Sequence, residues 1–192
     1  MSSRRRFAIF LVGFAMAGFV SVASAGEPSY VGAKKCKMCH LKQFKSWEAT
    51  RMAMSFELLK PGVQAAEKTA AGLSPDTDYT TDPECLNCHT TGYGKPGGFV
   101  NLTETPGLAG VQCESCHGPG SEYLADDMMS LKNKEYARDV VISAGMIIPE
   151  ESTCTGSCHN PQSPFASAED VFDYKTRKDD GTHDHIALKY PH

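Results

Sequence analysis

All eight cysteines of this 192-residue chain fall into four pairs, and a histidine directly follows the second member of each. The stretches are CKMCH at 36–40, CLNCH at 85–89, CESCH at 113–117 and CTGSCH at 154–159. A C-x-x-C-H run reads as a c-type haem attachment site. Two thiols at that spacing reach the two vinyl groups of one porphyrin and form thioethers. The next residue then lies beneath the iron, where a histidine is the proximal axial ligand. The pattern assigns Cys36, Cys39, Cys85, Cys88, Cys113, Cys116, Cys154 and Cys158 to attachment, and His40, His89, His117 and His159 to iron. Zinc would need four ligands per ion, whereas each motif offers three in a row. A thiol oxidoreductase would need a βαβ pattern, and a disulfide scaffold would need more cysteine. The fourth motif carries one residue more between its cysteines, Thr155-Gly156-Ser157, and Gly156 is expected to let that loop bulge.

The first 25 residues read as an export signal. Arg4, Arg5 and Arg6 precede an apolar run from Phe7 to Val20, too short to span a bilayer, and Ala23-Ser24-Ala25 offers a cleavage site. A twin-arginine reading of 3–7 suits unfolded-chain haem attachment less well than the general secretory route. Cleavage leaves residues 26–192, a length for one domain, with no second long apolar run. The remaining 16 basic and 23 acidic residues give a net −7, before any haem propionate. That sign argues against nucleic acid and favours a basic patch on a redox partner. Protein apolar content is modest, so four haems would supply part of the core.

Phe44, Trp47, Arg51, Met54 and Leu58 recur at helical steps and predict a helix over 41–59, stopped by Pro61-Gly62. The Gly-, Pro- and Thr-rich span 72–110 reads as loop around the second haem. Ser121 is expected to cap a helix running to about Arg138, and 168–174 to make a short helical turn. The fold class is mainly α with long irregular loops, a small multihaem cytochrome c fold wrapped around four covalently bound haems.

KKCKMCH with WEAT and LLKP, DYTTDPECLNCHTTGYGKPGG, and GVQCESCHGPG together resemble the tetrahaem cytochrome c-554 family, strongly over 34–120 and more weakly beyond. The resemblance implies an electron acceptor of hydroxylamine oxidation in nitrifying bacteria, mostly helical, with haems in stacked pairs, first with third and second with fourth. It implies a five-coordinate second haem, and a late H-x-H that ligates the first haem. That match assigns His183, with His185 as the alternative. Where the family has a histidine serving the third haem, this chain has Met52. Where it has one for the fourth, no histidine stands between His117 and His159, but Met128 and Met129 do. Methionine ligation would raise the potentials of those centres; packing against porphyrin faces is the alternative. Met54, on the aromatic stripe, is expected in the core. The family's nitrifier members are basic and this chain is acidic, so its partner is expected to differ.

The function expected is an exported electron carrier between redox partner proteins. An enzyme acting on nitric oxide, hydroxylamine or nitrite at an open haem iron on His89 is a second reading. A filament subunit, with the terminal His192 ligating a neighbour's haem, is a third.

Overall fold

The computed structural model describes residues 26–166 and 172–188. The expected signal segment, the residues 168–171 and His192 lie outside them. Among the described residues, eight short helices are joined by turns: α1 Ala33–Lys37, α2 Leu41–Glu48, α3 Ala65–Ala70, α4 Pro83–His89, α5 Cys113–His117, α6 Arg138–Ser143, α7 Glu151–Thr155 and α8 Tyr174–Arg177. Two 3-10 turns, Ser55–Leu59 and Pro106–Leu108, complete the set, and the pairing described is the single antiparallel bridge Thr90–Ala109. No helix of the described residues is long and apolar enough to cross a membrane.

Buried apolar side chains among the described residues are few and form two small clusters. One joins Phe56, Leu59, Leu86, Phe99 and Leu108; the other joins Tyr123, Val141 and Met146. Polar anchors do much of the remaining work. Thr91, fully buried, donates to the Gly110 carbonyl at 2.8 Å, meets Ser115 at 3.0 Å and accepts from the Gln112 amide at 3.0 Å. Gln112 accepts from the Ala33 amide at 3.0 Å and donates to the Gly107 and Ala109 carbonyls. Glu114, 1% exposed, accepts from the amides of Val31, Gly32 and Gly120. Two side chains flanking the start of α5 thereby hold the segment leading into α1, about 80 residues away in sequence.

The helix expected over 41–59 ends at Glu48. The Thr50 hydroxyl accepts from the Ala53 amide, a local bond that competes with the helical ladder. The Met52 carbonyl accepts from the Val111 amide at 3.0 Å, so a long-range partner takes an acceptor the helix would have used. Met54 follows as an exposed residue, 51% accessible, contrary to the core position expected for it. The helix expected from Ser121 does not form either; the chain runs in turns to 132 and α6 begins only at Arg138. Ser121 spends its hydroxyl on the Ser29 amide at 2.9 Å instead of capping. Ser130 and Asn133 bond the Asp126 and Asp127 carbonyls, and Lys132 pairs with Asp126, so polar side chains hold turns in place of a helical ladder. Within the expected loop 72–110, α4 forms because Asp82 caps it, accepting from the Glu84 amide at 2.9 Å, with Pro83 at the first helical position.

Candidate haem-attachment sites

Each Cys/His motif is built on a short turn of helix. The second motif lies wholly within α4, and the third is α5 itself. The first starts in α1 and ends with His40 at the entry to α2; the fourth starts in α7 and continues through a turn to His159. In the first motif the His40 amide donates to the Cys36 carbonyl at 2.9 Å, the ordinary four-residue step. In the fourth, the His159 amide donates to the Cys154 carbonyl at 3.0 Å, a five-residue step. The extra residue is thus absorbed by one wider turn. Gly156 keeps right-handed helical angles, φ −67 and ψ −32, so the expected glycine bulge is not how the longer loop closes. Its missing side chain matters for a different reason: a Cβ there would lie 2.7 Å from the Ser152 carbonyl oxygen.

None of the eight cysteines is paired in a disulfide. Thiols of different motifs nevertheless meet. Cys36 and Cys113 are hydrogen-bond partners: that bond, and then burial, push Cys36 far above the usual thiol range, while the same bond lowers Cys113. Cys88 and Cys158 repeat the arrangement, with Cys158 pushed up and Cys88 brought down to about 7 by their bond. Cys88 also reaches the Ser157 carbonyl at 3.5 Å. Cys116 is pushed up to about 11, first by burial and then by the nearby Cys154 and Cys113. These are properties of free thiols; a thioether carries no such proton. They record which motifs adjoin: first with third, second with fourth, and third with fourth.

His89 and His117 each turn one ring nitrogen to a backbone carbonyl. Nδ1 of His89 lies 2.7 Å from the Ser55 carbonyl oxygen, and Nδ1 of His117 lies 3.3 Å from that of Ile147. A backbone carbonyl can only accept, so Nδ1 carries the proton and donates, and the Nε2 lone pair is left for a ligand. Burial holds both rings below the usual imidazole range, which keeps that lone pair available. His159 is lowered too, by burial and then by Arg177, and its ring stacks on Phe172 at 4.0 Å. Ile147, whose carbonyl meets His117 Nδ1, and the following Ile148 stay 45% and 42% exposed. Flanking thiols, an imidazole with Nε2 unblocked and uncovered apolar side chains together fit a covalently held porphyrin.

The other expected ligands fall in three places. Met52 is half-buried, and its thioether lies against Gly181. Met128 and Met129 pack on the Tyr123–Val141–Met146 cluster. His183 lies beside His117, with ring centroids 6.3 Å apart, and His185 is exposed with its Nε2 3.4 Å from an Asp179 carboxylate oxygen. Sequence reasoning missed Lys68, 4% exposed, whose ammonium donates to the Lys60 carbonyl at 2.7 Å and sits 5.5 Å from the centre of the Tyr79 ring. Its charge helps lower His89. No sequence signal marks it, because burial of a lysine is a tertiary event.

A mainly helical chain of short turns presenting cysteine pairs, each followed by a histidine, defines a c-type cytochrome, binding haem c and serving electron transfer. Comparison with known proteins narrows the class. Residues 35–118 match the family model described as cytochrome c554 and c-prime. The curated cytochrome c-554 of Nitrosomonas europaea is 33% identical over 187 residues, covering 86% of this chain and 79% of that protein. A solved structure of the reduced state of cytochrome c554 from Nitrosomonas europaea superposes with a TM-score of 0.72 at 31% identity, covering 86% of this chain and 89% of the other. The chain belongs to the cytochrome c-554 family.

Proposed function

We propose that the protein holds four haems c and conducts electrons between redox partners as an exported carrier, with the haems ordered first, third, fourth, second. The observation that carries this reading is the meeting of thiols between motifs. Cys36 with Cys113 and Cys158 with Cys88 are hydrogen-bond partners, and Cys154 lies near enough to Cys116 to raise it, so the four motifs form one unbranched series. The haem edges attached there adjoin in the same order. Electrons enter near one end motif and leave near the other, and the chain's contribution is spacing, ligation and burial.

In this reading each motif's two cysteines carry the thioethers, with the Cys154/Cys158 loop attached as fully as the others. His40, His89, His117 and His159 are the proximal ligands. Met128 and Met129 are packing residues rather than iron ligands, supported by their place on the Tyr123–Val141–Met146 cluster. The partner presents a basic patch to this acidic chain. Residues 1–25 direct export and are removed, leaving 26–192 as one haem-binding domain.

The test is a pyridine haemochrome count on the natively exported protein, joined to a spectropotentiometric titration. Four haems per chain, all reducible, with no thiol reactive towards alkylating reagents, is the expected result. Free thiols at Cys154 and Cys158, or fewer than four haems, refute it.

A further inference from the structure

We propose that His183 and His117 ligate opposite faces of one haem, so that His183 completes the third centre rather than the first. The inference rests on the reading that the third motif holds a haem. The first argument is a distance. Two imidazoles on opposite sides of one metal, each with a metal–nitrogen bond of about 2 Å and a ring centre roughly 1.2 Å beyond the nitrogen, have centroids about 6.4 Å apart. The His117 and His183 centroids are 6.3 Å apart, with ring planes 26° from parallel. Rings in direct contact come much closer here: His159 and Phe172 stack at 4.0 Å.

Tautomers give the second argument. Nδ1 of His183 lies 2.9 Å from the Asp184 carbonyl oxygen, as Nδ1 of His117 lies 3.3 Å from that of Ile147. Both rings are therefore protonated on Nδ1 and keep Nε2 for a metal. His185 differs, because it is exposed and its Nε2 lies 3.4 Å from an Asp179 carboxylate oxygen rather than facing His117 across a metal-sized gap.

The third argument is how the segment is held. The Asp184 amide donates to Ser46 Oγ at 2.8 Å, and Gln43 Nε2 donates to the Ile186 carbonyl at 3.1 Å. These bonds lash residues 184–186 onto α2 and fix His183 beside α5. Met52 follows α2 and lies under the same segment: a Cβ added to Gly181 would sit 3.2 Å from the Met52 methyl carbon and 4.0 Å from its sulfur. Met52 thus packs beneath the strand of chain that delivers the histidine. The third centre is bis-histidine, with a lower reduction potential than a His/Met centre would have.

Holoprotein made through a c-type maturation pathway carries the test. Ferric-state magnetic circular dichroism and EPR are compared for the wild type, His183→Ala and Met52→Leu, with haem counted by pyridine haemochrome. In His183→Ala the haem count is unchanged, one low-spin centre becomes high-spin, and added imidazole restores it. Met52→Leu keeps every low-spin centre and shows no lost His/Met band. In a crystal structure of the wild-type holoprotein, His183 Nε2 and His117 Nε2 bind the same iron. Loss of a low-spin centre in Met52→Leu, no change in His183→Ala, or His183 bonded to the iron above His40 overturns the inference. A haem count that is short in the wild type, with Cys113 and Cys116 open to alkylation, overturns the underlying reading and this one with it.

Discussion

Replacing Glu114 with alanine tests how the first and third motifs are held together. The carboxylate is buried and serves three amides: Oε1 accepts from Val31 at 3.0 Å and Gly120 at 2.7 Å, and Oε2 accepts from Gly32 at 2.7 Å. Alanine strands all three donors where water has little access. Each unsatisfied buried donor costs about 1–3 kcal/mol, so the three together should cost roughly 3–9 kcal/mol. A domain's whole stability is only about 5–15 kcal/mol. Glutamine is not a neutral control. Amide donors approach both carboxylate oxygens, so one of them must meet the glutamine NH2 group; a loss of about 2 kcal/mol is expected. The assay is denaturant unfolding of the holoprotein followed by far-UV circular dichroism, with wild type, Glu114→Gln and Glu114→Ala compared at matched haem content. The midpoint should fall in that order with an unchanged slope. A loss below about 1.5 kcal/mol for Glu114→Ala, with all haems in place, would refute the claim that this carboxylate bears the junction.

Four further outcomes are expected. Thr91→Val keeps the shape but strands the Gly110 carbonyl and Gln112 amide bonded to the Thr91 hydroxyl; unfolding should show a loss of about 1–3 kcal/mol. Gly98→Ala would put a Cβ 1.7 Å from the Gly92 carbonyl oxygen; the backbone must shift, and the same assay should show a loss of at least ~3 kcal/mol. Lys68→Met removes a buried positive charge near His89; a potentiometric titration should find the second haem's midpoint lowered, since that charge favours the reduced iron. Tyr136 is pushed up to about 12, first by burial. Its folded pKa exceeds the unfolded value of about 10, so its contribution is complete below pH ~10 and is lost as pH rises towards the folded value. Denaturant midpoints should hold level up to pH ~10 and then drop, and Tyr136→Phe should weaken that drop.

The attachment chemistry was legible in the chain because it is local. Two thiols and an imidazole within five or six residues define where a porphyrin is held, whatever surrounds them. The span 72–110 reads as loop from its glycines, prolines and threonines, yet Asp82-Pro83-Glu84 carries the local signal that starts α4: a cap, a first-turn proline and an acidic residue. Local reasoning failed where distant groups competed for the backbone. The helical stripe from Phe44 to Leu58 is real, yet Val111 takes the Met52 carbonyl and α2 ends at Glu48. Ser121 is a fair cap, yet Ser29 claims its hydroxyl. The residue pattern determined that the chain carries paired thiols, each pair followed by a histidine, in a mainly helical fold with long loops. Only the tertiary structure decided which motifs adjoin, that Glu114 and Gln112 clamp the third motif to the first, and that His183 comes to rest beside His117. Those contacts join residues 38 to 82 positions apart, and chain spacing says nothing about distances that only folding closes.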